Sequence, residues 1–217
     1  MDFATLAGLY ANLPLRLDAY YRWIHIYLPI LPPPPATDSS LDTSTSATLD
    51  QHENNSTGSV PASPLRLALS AIFALIPHPN VSNPSRPSYV ALRRKAAHRF
   101  AQQSLALIED ETEMPQDLSP SVALAHTTST PERPSLHPDV PVELESVLAL
   151  CVLAVYEYSQ RGNIRKMQDR AGQALVAAMG MSLHCLGKDE GRYAEAKRRA
   201  WWMTVSFYEA RKSLMQC

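Results

Sequence analysis

The sequence predicts an all-α protein: a helical domain of antiparallel helix pairs interrupted by two long disordered linkers. Three observations carry this. Apolar residues recur at helical spacing in several separate stretches. No run alternates apolar and polar residues between turn signals, and no Asn-Gly or Asp-Gly pair marks a hairpin. The 18 prolines lie mostly outside the periodic stretches. With 217 residues, 45% hydrophobic and 19% charged, the chain is long enough for one domain with its own core.

Residues 1–35 read as an N-terminal helical segment that runs into a proline-rich strut, "LPPPPA", with polyproline II character. Residues 36–63 hold no aromatic and are dominated by Ser, Thr, Asp and Asn. Such a composition buries too little apolar surface to offset its ordering entropy, so a disordered linker is expected. Residues 64–110 form a helical segment of two parts. "PLRLALSAIFALI" (64–76) starts with a proline at an allowed first-turn position. In residues 88–110, Val90, Ala97, Phe100, Ala101, Leu105 and Ile108 follow the helical period.

A second disordered linker is expected over residues 111–140, and a helical core over 141–217. Within that core, residues 142–160 are apolar nearly all round, the mark of a central buried helix. In residues 163–187, Ala171, Ala174, Leu175, Ala178 and Met179 form one stripe. Gly180 stands where a left-handed cap commonly ends a helix. Residues 193–214 place Ala194, Trp201, Val205 and Tyr208 on one face.

Enzyme signatures are absent: there is no GxGxxG, GxxxxGK[ST], HExxH or GxSxG. His184 and Cys185 are neighbours, but adjacent helical residues point about 100° apart, so they make no nucleophile–base pair. The seven histidines are scattered and the three cysteines (Cys151, Cys185, Cys217) form no CxxC, so neither a metal site nor a disulfide framework is expected. The longest apolar run, "VLALCVLAVY", has ten residues against about 20 for a bilayer span, so no membrane partner is expected.

Basic residues cluster in "LRRKAAHR" (92–99), "RGNIRK" (161–166) and "AKRRAWW" (196–202), but 20 basic residues face 21 acidic ones and the net charge is −1. Solvated helix faces are the preferred reading over nucleic-acid contact. Trp201 and Trp202 point to different sides of one helix; Trp201, sharing a face with Ala194, Val205 and Tyr208, is expected to be the deeper anchor.

Three stretches in this order resemble one family. In "LRLDAYYRWIHIYLPILPPP", Leu17, Tyr21, His25, Pro29, Ile30 and Leu31 fit the opening motif of the fungal regulatory (middle homology) domain, with Ile26 or Tyr27 at a usual proline position. Residues 142–184 resemble its paired helices, ending Met-Gly-Met-x-Leu-His with Gly180 and His184. "AKRRAWWMT" is similar to its Arg-Arg-x-Trp-Trp element, through Arg198, Arg199, Trp201 and Trp202. These motif residues are read as structural.

The resemblance implies a nuclear, non-catalytic module of a fungal transcription factor, acting through other regulatory proteins or a small effector. Outside the resemblance, a cytoplasmic place is expected. The family's DNA-binding zinc cluster needs six cysteines, so three imply no cofactor in this chain, with zinc and DNA contact only through a domain encoded elsewhere. After Trp202 the sequence reads "MTVSFYEARKSLMQC" in place of the family's further helices, so a fragment of the domain is expected. The alternatives are a stand-alone helical adaptor that binds protein partners and, last, a small helical enzyme.

Overall fold

The computed structural model describes residues 17–34, 63–77, 81, 83–113, 133–187 and 190–215. Among these it holds six α-helices, two 3-10 turns and no strand. The helices are α1 (Leu17–Trp23), α2 (Pro64–Phe73), α3 (Pro87–Glu113), α4 (Glu145–Arg161), α5 (Ile164–Gly180) and α6 (Ala194–Met215). The all-α class predicted from sequence is what the chain adopts.

Helix α4 is the centre, because its apolar run covers every side of the helix and is buried. Val147 through Ala154 are all buried, as is Tyr156. α2, α3, α5 and α6 all pack against it. α2 begins cleanly: Ser63 Oγ accepts the Arg66 N–H at 3.1 Å as N-cap, and Pro64 occupies the first turn, where its missing donor is no loss.

Two residues join α4 to α5 and force them antiparallel. Gly162 takes a left-handed conformation (φ 59°, ψ 20°), and its N–H bonds the Tyr158 carbonyl at 3.2 Å. Asn163 then caps α5 through its side-chain oxygen on the Lys166 N–H. α5 presents Met167, Ala171, Ala174 and Ala178 to the core. The predicted stripe is therefore rotated: Met167 is inside, while Met179 is half exposed to solvent.

The expected left-handed cap at Gly180 is not formed. Gly180 is the last helical residue of α5, and Ser182 takes the positive φ of 56° instead. The turn comes two residues later because Leu183 must swing into the core, where it is 2% exposed. The reversal is placed by that burial, not by the glycine.

The second expected linker is shorter than 111–140. Residues 111–113 complete α3, and residues 133–140 belong to the folded body, with Arg133, Leu136, His137 and Val140 buried. Composition misleads here because this stretch is anchored by polar bonds, described below. Residues 36–62 and 114–132, the remainder of both expected linkers, lie outside the described residues, as do residues 1–16 and Cys217.

Candidate functional site

The first and third motif stretches are hydrogen-bonded to each other, and the end of the second packs on the third. Tyr20, fully buried in α1, organises the turn that follows it. Its hydroxyl donates to the Leu28 carbonyl at 2.8 Å and accepts the Leu31 N–H at 3.2 Å. His25 Nδ1 lies 3.1 Å from the same oxygen. Since the phenol proton goes to Leu28, His25 Nδ1 carries the proton and donates, leaving the hydroxyl fully satisfied. Tyr21 adds a hydrogen bond from its hydroxyl to the Pro32 carbonyl at 2.5 Å.

The rings stack edge-on around this point, with 5.1 Å between Tyr20 and Tyr21 and 5.5 Å between Tyr20 and His25. His137 approaches Tyr21 from the other side at 6.4 Å. Burial pushes the phenols of Tyr20 and Tyr21 up to about 12. Burial also lowers the imidazoles of His25 and His137; Arg199 adds to the effect on His25, and Asp139 opposes it on His137. All four rings are thus held neutral near pH 7.

Arg199 ties this turn to α6. Its Nη1 donates to the Pro29 carbonyl at 3.2 Å, while its Nε pairs with Glu195 Oε1 at 2.6 Å. Arg198 sits outside the cluster, exposed, with Glu195 at 3.6 Å. His184, in the 3-10 turn Leu183–Cys185, packs on the Trp201 ring with centroids 6.0 Å apart. Trp201 reaches the core, whereas Trp202 is 65% exposed. The structure thus joins His25, Pro29 and Arg199, pairs His184 with Trp201, and leaves Gly180, Arg198 and Trp202 out.

Known protein families, curated proteins and solved structures were all compared with this chain, and none matches.

A second polar assembly escaped the sequence reading. Glu145, completely buried at the start of α4, accepts from Ser63 Oγ at 2.7 Å, from the Leu136 N–H at 2.6 Å, and from Arg133 Nη1. Arg133 also reaches Glu111 Oε1 at 2.8 Å, and Ser146 donates to the other oxygen of Glu111. The N-terminus of α2, residues 133–136 and the start of α4 are therefore pinned at the Glu145 carboxylate, and the end of α3 joins them through a second one, Glu111. Both oxygens of the buried Glu145 have partners, the pattern of a structural carboxylate. In sequence, Glu145 looked like an ordinary first-turn acid and Arg133 sat in a proline-rich stretch, so only their partnership distinguishes them.

No nucleophile is set up on the described residues. Cys151 lies buried with its thiol donating to Thr204 Oγ1 at 3.7 Å, because the Thr204 hydroxyl itself donates to Ala200; burial pushes the thiol up to about 12. Cys185 is exposed. Among the described residues no three His, Cys, Asp or Glu side chains converge as metal ligands. No described helix is long and apolar enough to cross a membrane.

Proposed function

We propose that this chain is part of the regulatory domain of a fungal transcription factor, a nuclear, non-catalytic module that restrains or transmits activation. One observation supports it most. The residues that carry the family resemblance come from opposite ends of the sequence, yet Pro29 and Arg199 are hydrogen-bonded and the Tyr20–His25 pair braces the same turn. Motifs that were only fragments of unrelated function would have no reason to share one network. In this reading the signal passes through helix docking, and the Arg199–Pro29 contact is the bond that fastens the turn after α1 to α6.

The test places the full chain between a heterologous DNA-binding domain and an activation domain in a reporter strain. The chain is expected to lower reporter output against an unstructured spacer of equal length, and Arg199→Ala to change that output at equal protein level. Output equal to the spacer, with and without the substitution, contradicts the proposal. Such a result would favour a stand-alone adaptor, for which the exposed Trp23, Ile26, Tyr27 and Trp202 offer apolar surface.

A further inference from the structure

Two basic stretches that lie far apart in sequence, 92–99 and 161–166, meet in a cleft of about 270 Å³. α3 supplies Arg94, Lys95 and His98, which fall within about 100° of its circumference. The end of α4 supplies Arg161, and the apolar lining is Leu75 and the ring of Tyr156. Arg93, in the same basic stretch, is turned away and buried, donating to the Pro84 carbonyl at 2.9 Å.

The cleft is short of negative charge. Arg133, Arg192, Arg198 and Arg199 each has a carboxylate partner, but Arg94 and Lys95 have none among the described residues. Arg161 Nε lies 3.1 Å from Glu157 Oε2, so one of three cations is compensated. Carbonyls at the C-terminus of α4 offset a further fraction, as helix ends do. Two positive charges remain beside a partly apolar lining. Their long side chains both line the cleft, so a dianion bound there lies within reach of two cations that have no carboxylate partner among the described residues.

Two of the lining groups, Arg161 and His98, are also oriented by each other. Arg161 Nη1 sits 3.2 Å from His98 Nδ1; a guanidinium only donates, so Nδ1 accepts and the imidazole proton stays on Nε2 as a further donor. Gln160 adds an amide at the rim.

We propose that this cleft binds a small phosphate monoester with an apolar or planar body, its dianionic head on Arg94 and Lys95 and its body against Leu75 and Tyr156. Two uncompensated charges match one dianionic head better than a single carboxylate, and the arginine fork suits the geometry of phosphate oxygens. This site lies apart from the Tyr20–Arg199 cluster, and its occupancy does not depend on a role in transcription.

Phenyl phosphate titrated calorimetrically into the full chain tests this directly, with inorganic phosphate, glutarate and a short DNA duplex as comparators. Saturable one-to-one binding is expected with a Kd below about 1 mM, tighter than either small comparator. Arg94→Gln combined with Lys95→Gln should weaken it at least about tenfold without moving the unfolding midpoint, since both side chains are exposed. If the double variant unfolds, Lys95→Glu alone should give a comparable loss. Absence of binding, binding that survives these changes, equal or tighter binding of glutarate, or tighter binding of the duplex would each overturn the proposal.

Discussion

Arg199 donates to the carbonyl of Pro29 across 170 residues of sequence, and in doing so docks the turn after α1 onto α6. The turn is rigid at that point because Tyr20 already holds Leu28 and Leu31 on either side. A charged donor therefore meets an oriented carbonyl, which raises the worth of the contact above an ordinary surface bond.

Replacement of the two tryptophans should separate cleanly. Trp201→Ala removes a partly buried ring that packs on the core and on His184, so a loss of about 2–3 kcal/mol is expected, below the range for a fully buried tryptophan. Trp202→Ala should stay within about 0.5 kcal/mol. Urea unfolding, with acrylamide quenching to report accessibility, checks both. Equal losses would mean that the exposure assigned to Trp202 is wrong.

The Glu145 assembly should be the most sensitive polar spot in the molecule. Arg133→Ala strands a buried carboxylate and is expected to cost about 3–5 kcal/mol. Glu145→Gln keeps the shape but offers an amide to donors that need an acceptor, and should also destabilise the chain. Thermal unfolding of both variants measures this, and near-wild-type midpoints would refute the structural role.

Stability should fall on mild acidification. The imidazoles of His25 and His137 titrate below the ordinary value of 6.5 in the folded chain, so the unfolded chain binds more protons in that window. Their contribution is full above 6.5 and is lost as pH falls through 6.5 toward the folded values. Both rings lie close to the surface, so the decline is shallow. Urea melts between pH 7.5 and 5 should show this decline, and His25→Gln with His137→Gln should flatten it. A curve that rises toward pH 5 would contradict the burial of these rings.

The end of α5 offers two stabilising substitutions. A side-chain carbon added at Gly180 meets nothing within 4 Å, and the backbone there is helical, so Gly180→Ala should stabilise by about 0.5–1 kcal/mol. Ser182 bears the left-handed strain, so Ser182→Gly should gain about 1 kcal/mol. Chemical denaturation checks both. A loss at Gly180 would restore the glycine-cap reading.

What could be read in the sequence follows from the range of the forces involved. Helix identity is local: the apolar run 147–156 announces a central helix, and the periodic Ala97, Phe100, Ala101 and Ile108 of α3 are buried as expected. Trp201 is the deeper tryptophan, as expected, but the face is rotated from the predicted one. α6 buries Ala196, Ala200 and Thr204, with Met203 and Phe207 beside Trp201, while Val205 and Tyr208 are only partly buried. The wheel misleads there because the apolar residues of α6 recur on two of its sides. The Glu145 network was not legible, since Ser63, Glu111, Arg133 and Glu145 are brought together only by tertiary packing. The same holds for the cleft, where Arg94 and Arg161 read as two unrelated solvated faces until α3 and α4 are placed side by side. Gly180 failed for another reason, because the burial of Leu183 outweighed the local preference of glycine for the turn.

The central claim is that the two ends of the described chain form one joint. A double-mutant cycle between Tyr20→Phe and Arg199→Ala, read by urea unfolding, tests it most directly. Both side chains hold residues 28–31, Tyr20 from within α1 and Arg199 from α6. Loss of one should loosen the turn and reduce what the other contributes, giving a coupling above about 0.5 kcal/mol. Additive losses, with coupling inside about 0.3 kcal/mol, would show that the two residues act separately and that no such joint exists.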